Sequence, residues 1–178
     1  NEGMITDASI NNLLSLKYKI QSLEWVVSVV TLLDIPLLNN SEAPLQERLE
    51  NFKTLKDEDV NKDRGFKEII SSPVFRNFVI SEDGKTSGII VYLKKDKPLD
   101  DIKKKSKEEI EIYKDQIKKQ NHKNIIEIRD VIKSYENIGK IHLGGIPMIA
   151  DDMMTFIKSD IIVFGLGVLL FIIITLWY

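Results

Sequence analysis

From Ile161 to Tyr178 the chain reads IIVFGLGVLLFIIITLWY, eighteen residues with no charged side chain and only Thr175, Trp177 and Tyr178 able to hydrogen-bond strongly. As a helix rising about 1.5 Å per residue the run is roughly 27 Å long, close to the hydrocarbon thickness of a bilayer. A soluble helix of that length needs a polar stripe, and none exists here on any face of a 3.6-residue wheel. A strand would be about three times the usual length, and in lipid only a helix satisfies its own backbone. The run therefore predicts a transmembrane helix over 161–178. Lys158 and Asp160 form a charged margin before it, and Trp177 and Tyr178 an aromatic one at its far end. Gly165 and Gly167 are spaced GxG, without the GxxxG dimer motif.

The remaining residues fit one folded domain of ordinary size. The chain of 178 residues lacks cysteine, which excludes a disulfide framework, a thiol nucleophile and thiolate metal ligation. Its net charge of −2 argues against a general nucleic-acid binder. That balance hides a dense block over 94–140, with 14 basic and 10 acidic side chains, whose mixed signs suit a solvated helix face.

Ile5 to Leu23 carries apolar residues at mostly helical intervals, with Thr6 or Asp7 as N-cap. The β-branched density of Trp25–Leu33 predicts a strand. Residues 34–74, punctuated by Pro36, Pro44 and Pro73, read as an excursion with short helices at Gln46–Leu55 and Asp63–Ser71. Phe75–Ile80 and Thr86–Leu93 flank Asp83-Gly84 as a β-hairpin. Pro98 to about Tyr135 keeps an apolar stripe through Ile110, Tyr113, Ile117, Ile125, Ile128, Ile132 and Tyr135. It forms one helix, or two collinear helices if Asn121–Asn124 interrupts, with Gly139 as C-cap. Lys140–Met148 reads as a last strand. The order is βαββαβ with its first strand missing, which predicts an α+β, ferredoxin-like domain over 1–149 whose first strand lies upstream of Asn1. An approach helix over 150–160 then leads into the transmembrane helix.

No constellation for catalysis, metal binding or cofactor binding emerges. His122 and His142 lack a carboxylate or second histidine at metal-site spacing. Asp151, Asp152 and Asp160 could bind a cation or face a proton path beside the membrane. The simpler assignment gives Asp151 and Asp152 to the positive end of the approach helix and Asp160 to the interface. Gly144-Gly145 lacks the lysine of a phosphate-binding loop, and no serine sits in a Gly-x-Ser-x-Gly elbow.

Several segments, in order, form a recognisable set: Val29-Val-Thr-Leu-Leu-Asp-Ile-Pro-Leu-Leu38, Ser72-Pro-Val-Phe-Arg-Asn77, Val79-Ile-Ser-Glu-Asp-Gly-Lys-Thr86, and Gly144-Gly-Ile-Pro-Met-Ile-Ala-Asp-Asp-Met-Met154 through Phe156-Ile-Lys-Ser-Asp160. Together they resemble the bacterial predicted exporters of the resistance-nodulation-division (RND) superfamily, in the branch related to the mycobacterial large membrane proteins (MMPL) and Patched. The resemblance implies a fragment holding the first extracytoplasmic porter domain and second membrane helix of a proton-driven permease in the bacterial inner membrane. It implies export of hydrophobic or amphiphilic molecules such as lipids or drugs, and no enzymatic activity. The partners it implies are the lipid bilayer, the remaining domains of the same permease, and a homo-oligomer or a periplasmic protein. Proton-relay residues would lie in helices outside this sequence. The 14 basic residues of 94–140 would by themselves favour the cytoplasm, but that rule governs short loops, and long domains translocate largely regardless of charge. Substrate-contacting residues are not identified individually; the exposed apolar residues of 34–55 are the candidates. The alternative is a tail-anchored adaptor whose charged helix recruits a partner, and a membrane-anchored enzyme is a third reading.

Overall fold

Thr6 opens the first helix by accepting a hydrogen bond from the Ser9 N–H at 3.2 Å, the side-chain cap expected of a threonine in extended conformation. In the computed structural model, which describes residues 4–39, 44–95 and 106–177, α1 (Asp7–Gln21) buries Ile10, Leu16 and Ile20 along one face. The chain divides into two units, Asn1–Lys95 with Ser134–Gly139, and Asp96–Lys133 with Lys140–Tyr178.

In the first unit, β1 (Val26–Val30) pairs antiparallel with β2 (Ile90–Leu93) in the register Val26↔Leu93, Ser28↔Tyr92, Val29↔Val91 and Val30↔Ile90. The register shifts between Val26 and Ser28, which leaves Val27 exposed between two core-facing valines. The predicted strand stops at Val30 because Thr31 and Asp34 cap a 3-10 turn, Leu32–Asp34: the Thr31 hydroxyl accepts from Leu33 N–H while Asp34 accepts from Thr31 N–H. That turn drives Leu32 and Leu33 into the centre of the core.

Residues 34–74 are central to the fold, not peripheral to it. Ile35, Leu37, Leu55, Val60 and Ile69 join Ile10, Leu32, Leu33, Val79 and Ile80 in one buried cluster. Two helices form there, α2 (Leu45–Glu50) and α3 (Lys62–Ser71), the second capped by Asn61. Gly65 on α3 lets two leucines approach: a Cβ there would lie 2.8 Å from Leu37 Cδ1 and 2.9 Å from Leu55 Cδ2. The Glu68 carboxylate accepts from the backbone N–H groups of Leu38 and Asn39, so α3 also fixes the segment after the 3-10 turn.

The class is α+β, and among the described residues the sheet has two strands. The predicted strand over 75–80 is instead a run of turns. Pro73 starts it, Arg76 and Val79 donate to the carbonyls of Ser72 and Phe75, and Asn77 takes φ +63°. The tight turn expected at Asp83-Gly84 is present, with Gly84 at φ +65° and Ser81 N–H donating to Thr86 O at 2.9 Å. The strand predicted over 140–148 is also replaced. Gly145 takes φ +121° and a helix begins at Ile146, with Pro147 in its first turn, where the missing N–H costs nothing.

The second unit pairs α4 (Lys107–Lys133) with α5 (Ile146–Trp177). A capping box starts α4, with Ser106 accepting from Glu109 N–H and Glu109 accepting from Ser106 N–H. It is one helix. Asn121–Asn124 does not break it, because Gln120 and Asn124 bond each other along the surface and Asn121 and His122 turn toward α5. It ends at Lys133, six residues before Gly139. Tyr135, in the first unit, bonds Ser15 through its hydroxyl at 2.8 Å. The first part of the helix expected from Pro98, residues 98–105, lies outside the described residues. The approach segment and the charge-free run form a single helix of 32 residues, long and apolar enough to cross a membrane.

Candidate membrane-proximal site

The residues of chemical interest collect where α4 meets the first turns of α5. Asp151 and Asp152 follow Pro147 by one helical turn, so they project from adjacent faces of α5. On α4, His122 and Arg129 are seven residues apart, two full turns, and share a face. His122 Nδ1 lies 2.9 and 3.1 Å from the two Asp151 carboxylate oxygens, and a ring N–H there donates to the acid. Arg129 Nη2 donates to both oxygens of Asp152, at 2.7 and 3.0 Å. Asn121 Nδ2 donates to the Pro147 carbonyl at 2.8 Å. That carbonyl already belongs to the helix ladder, so the amide takes its second lone pair.

Burial separates the two acid pairs. The Asp151 side chain is 7% exposed and its His122 partner 50%, whereas Arg129 and Asp152 are both substantially in water. A carboxylate that far out of water is tolerated because its partner is on the spot; the Arg129–Asp152 pair is of the solvated kind that contributes little by itself. Asp151 is the single buried residue described on α5.

Lys158 and Asp160 are exposed at the start of the charge-free run. Asp115 on α4, hydrogen-bonded to Lys119 at 2.7 Å, is held below the usual carboxylate range by that bond, by the same ammonium's charge, and more weakly by Lys118 and Lys158. Asp160 has no ion-pair or hydrogen-bond partner among the described residues. His142 stands apart, exposed in the segment before α5. Among the described residues no three acidic or histidine side chains are grouped to hold a metal ion.

Asp151, Asp152 and Asp160 thus divide: the first two are tied to α4 and the third is left exposed just before the charge-free run. The His122–Asp151 pair was invisible to spacing rules because its members are 29 residues apart on different helices. In the 34–55 segment, Phe52 is a large apolar side chain left exposed. Large apolar side chains of 161–177 are all exposed, from 48% to 91%, on a helix long and apolar enough to cross a membrane. Comparison with protein-family models, curated proteins and solved structures gives no match to this chain.

Proposed function

We propose that this chain is a porter-type module of a proton-driven exporter of the RND superfamily, MMPL and Patched branch, moving hydrophobic or amphiphilic molecules. The module stands on the extracytoplasmic side of a bacterial inner membrane and α5 is its membrane helix. In this reading β1 and β2 belong to a ferredoxin-like sheet completed by further strands of the permease, and the module itself performs no covalent chemistry. One observation carries it: a single helix runs without interruption from turns locked by polar contacts to α4 into 17 described residues free of charge. Such a rod is suited to tie an extramembrane helix to a bilayer. Substrate is handled by apolar contact, and Phe52 is the first side chain to test.

The experiment is accumulation of an amphiphilic fluorescent dye in cells with and without the intact natural gene. Dye should build up when the gene is deleted or the proton gradient collapsed, and Phe52→Ala should raise retention at least twofold at unchanged membrane level. Retention that neither deletion nor uncoupling changes would reject the exporter. A native mass near the 20.5 kDa of these residues would favour the tail-anchored adaptor instead.

A further inference from the structure

The first half of α5 has two unlike sides. At about 100° per residue, Ile146, Ile149, Met153, Phe156 and Ile157 fall within an arc of about 100°, and the middle of that arc is about 170° from Asp151, which faces α4. These five side chains are exposed, from 49% at Ile157 to 83% at Ile146. Thr155, Lys158 and Ser159 lie on other sides.

In a bilayer, lipid would not cover the outer part of this face, Ile146 to Met153. The charge-free run begins at Ile161, and helical rise puts Met153 about 12 Å and Ile146 about 22 Å before it. The headgroup layer extends only about 6 Å beyond the hydrocarbon on each side. An apolar stripe standing in water at 3- and 4-residue spacing has the pattern that packs against a second helix.

Asp160 falls in the middle of the same arc, at the membrane margin, without a partner among the described residues. A second copy packed in parallel by two-fold symmetry would bring two Asp160 carboxylates together, where like charges repel. The face instead fits a helix presenting a cation.

We propose that Ile149, Met153, Phe156 and Asp160 form the docking face for a second helix that emerges from the same bilayer, belongs to the same polypeptide, and places a lysine or arginine against Asp160. The assignment to the same polypeptide rests on the exporter reading.

The test uses the intact natural protein in its own membrane, with a photo-crosslinking phenylalanine analogue at Met153 or Phe156 and, as control on the polar side, at Thr155. Adducts from 153 and 156 should map by mass spectrometry to one helix of the same polypeptide, at least tenfold above the yield from 155. Asp160→Lys should cut the Met153 yield at least fivefold, and Asp160→Asn should cut it less. Equal yields from all three sites, or adducts to lipid, to a second copy or to another protein, would overturn the proposal. In-chain adducts in cells without dye export would reject the exporter reading and leave the docking face standing. Dye export without in-chain adducts would reject the docking face alone.

Discussion

Asp34 joins four donors at the edge of the core, and its removal should be among the most damaging single changes in the first unit. Burial by itself pushes this carboxyl up, yet Lys17 at 2.5 Å, Lys56 at 3.0 Å and both the N–H and hydroxyl of Thr31 overcome that and lower its pKa from 3.8 to about 2. At 1.36 kcal/mol per unit the drop corresponds to about 2 kcal/mol of stability at neutral pH. Because the folded pKa is the lower one, this contribution is complete above about pH 5 and disappears as pH falls toward 2. Asp34→Asn also strands Lys17, whose side chain is 11% exposed, so the total loss should be about 2–4 kcal/mol. The assay is urea unfolding in detergent micelles, followed by Trp25 fluorescence in a Trp177→Phe background. Replacing the pair together, Lys17→Met with Asp34→Asn, should recover part of the loss, because no buried ammonium then lacks its partner. A loss below about 0.5 kcal/mol, or an acid limb between pH 5 and 2 that Asp34→Asn leaves unchanged, would refute the reasoning.

Three further changes probe separate parts of the molecule. Gly65→Ala must push Leu37 and Leu55 apart and should cost about 1–3 kcal/mol in the same unfolding assay. Val168→Arg, near the middle of the charge-free run, adds about 2.5–3.5 kcal/mol to membrane insertion and should shift protein from the carbonate-resistant pellet to the supernatant. Asp151→Ala should speed hydrogen exchange in the first turns of α5 at least tenfold, whereas Asp152→Ala, which breaks a solvated pair, should change it less than threefold.

What was legible in the sequence follows the range of the interaction concerned. Thr6 and the charge-free run are local signals, and helices α1, α3 and α5 stand within a few residues of where the local pattern put them. The strands failed where local chemistry opposed them: Thr31 with Asp34 ended β1 early, Pro73 and Asn77 turned the chain over 75–80, and Gly145 with Pro147 made a helix start out of an expected strand. That the 34–74 segment feeds the core was not legible, because its apolar residues keep no period. Leu37, Leu55 and Ile69 reach the same core by way of turns and α3, and Gly65, the small residue that lets them meet, has no signature of its own. At the candidate site the carboxylates were visible as a cluster, while the pairing of Asp151 with His122 and of Asp152 with Arg129, 29 and 23 residues away, was not.

Four acidic or basic side chains on α5 mark successive changes of surroundings along one rod. Asp151 is withdrawn from water onto α4, Asp152 is paired at the surface, the charge of Lys158 acts on Asp115, and Asp160, without a partner among the described residues, precedes the charge-free run 161–178. A charge costs most at the centre of a bilayer and least where water or a fixed partner reaches it, so in a bilayer this order would set how far the helix sinks. Pulling the rod inward by one turn, about 5 Å, would carry Asp160 into hydrocarbon and pull Asp151 from His122 together. Pushing it outward by the same distance would expose Ile161 and its neighbours to headgroups and strain the same contacts. The polar turns and the apolar run would therefore fix a single depth in a bilayer between them, and neither half of the helix could fix it alone.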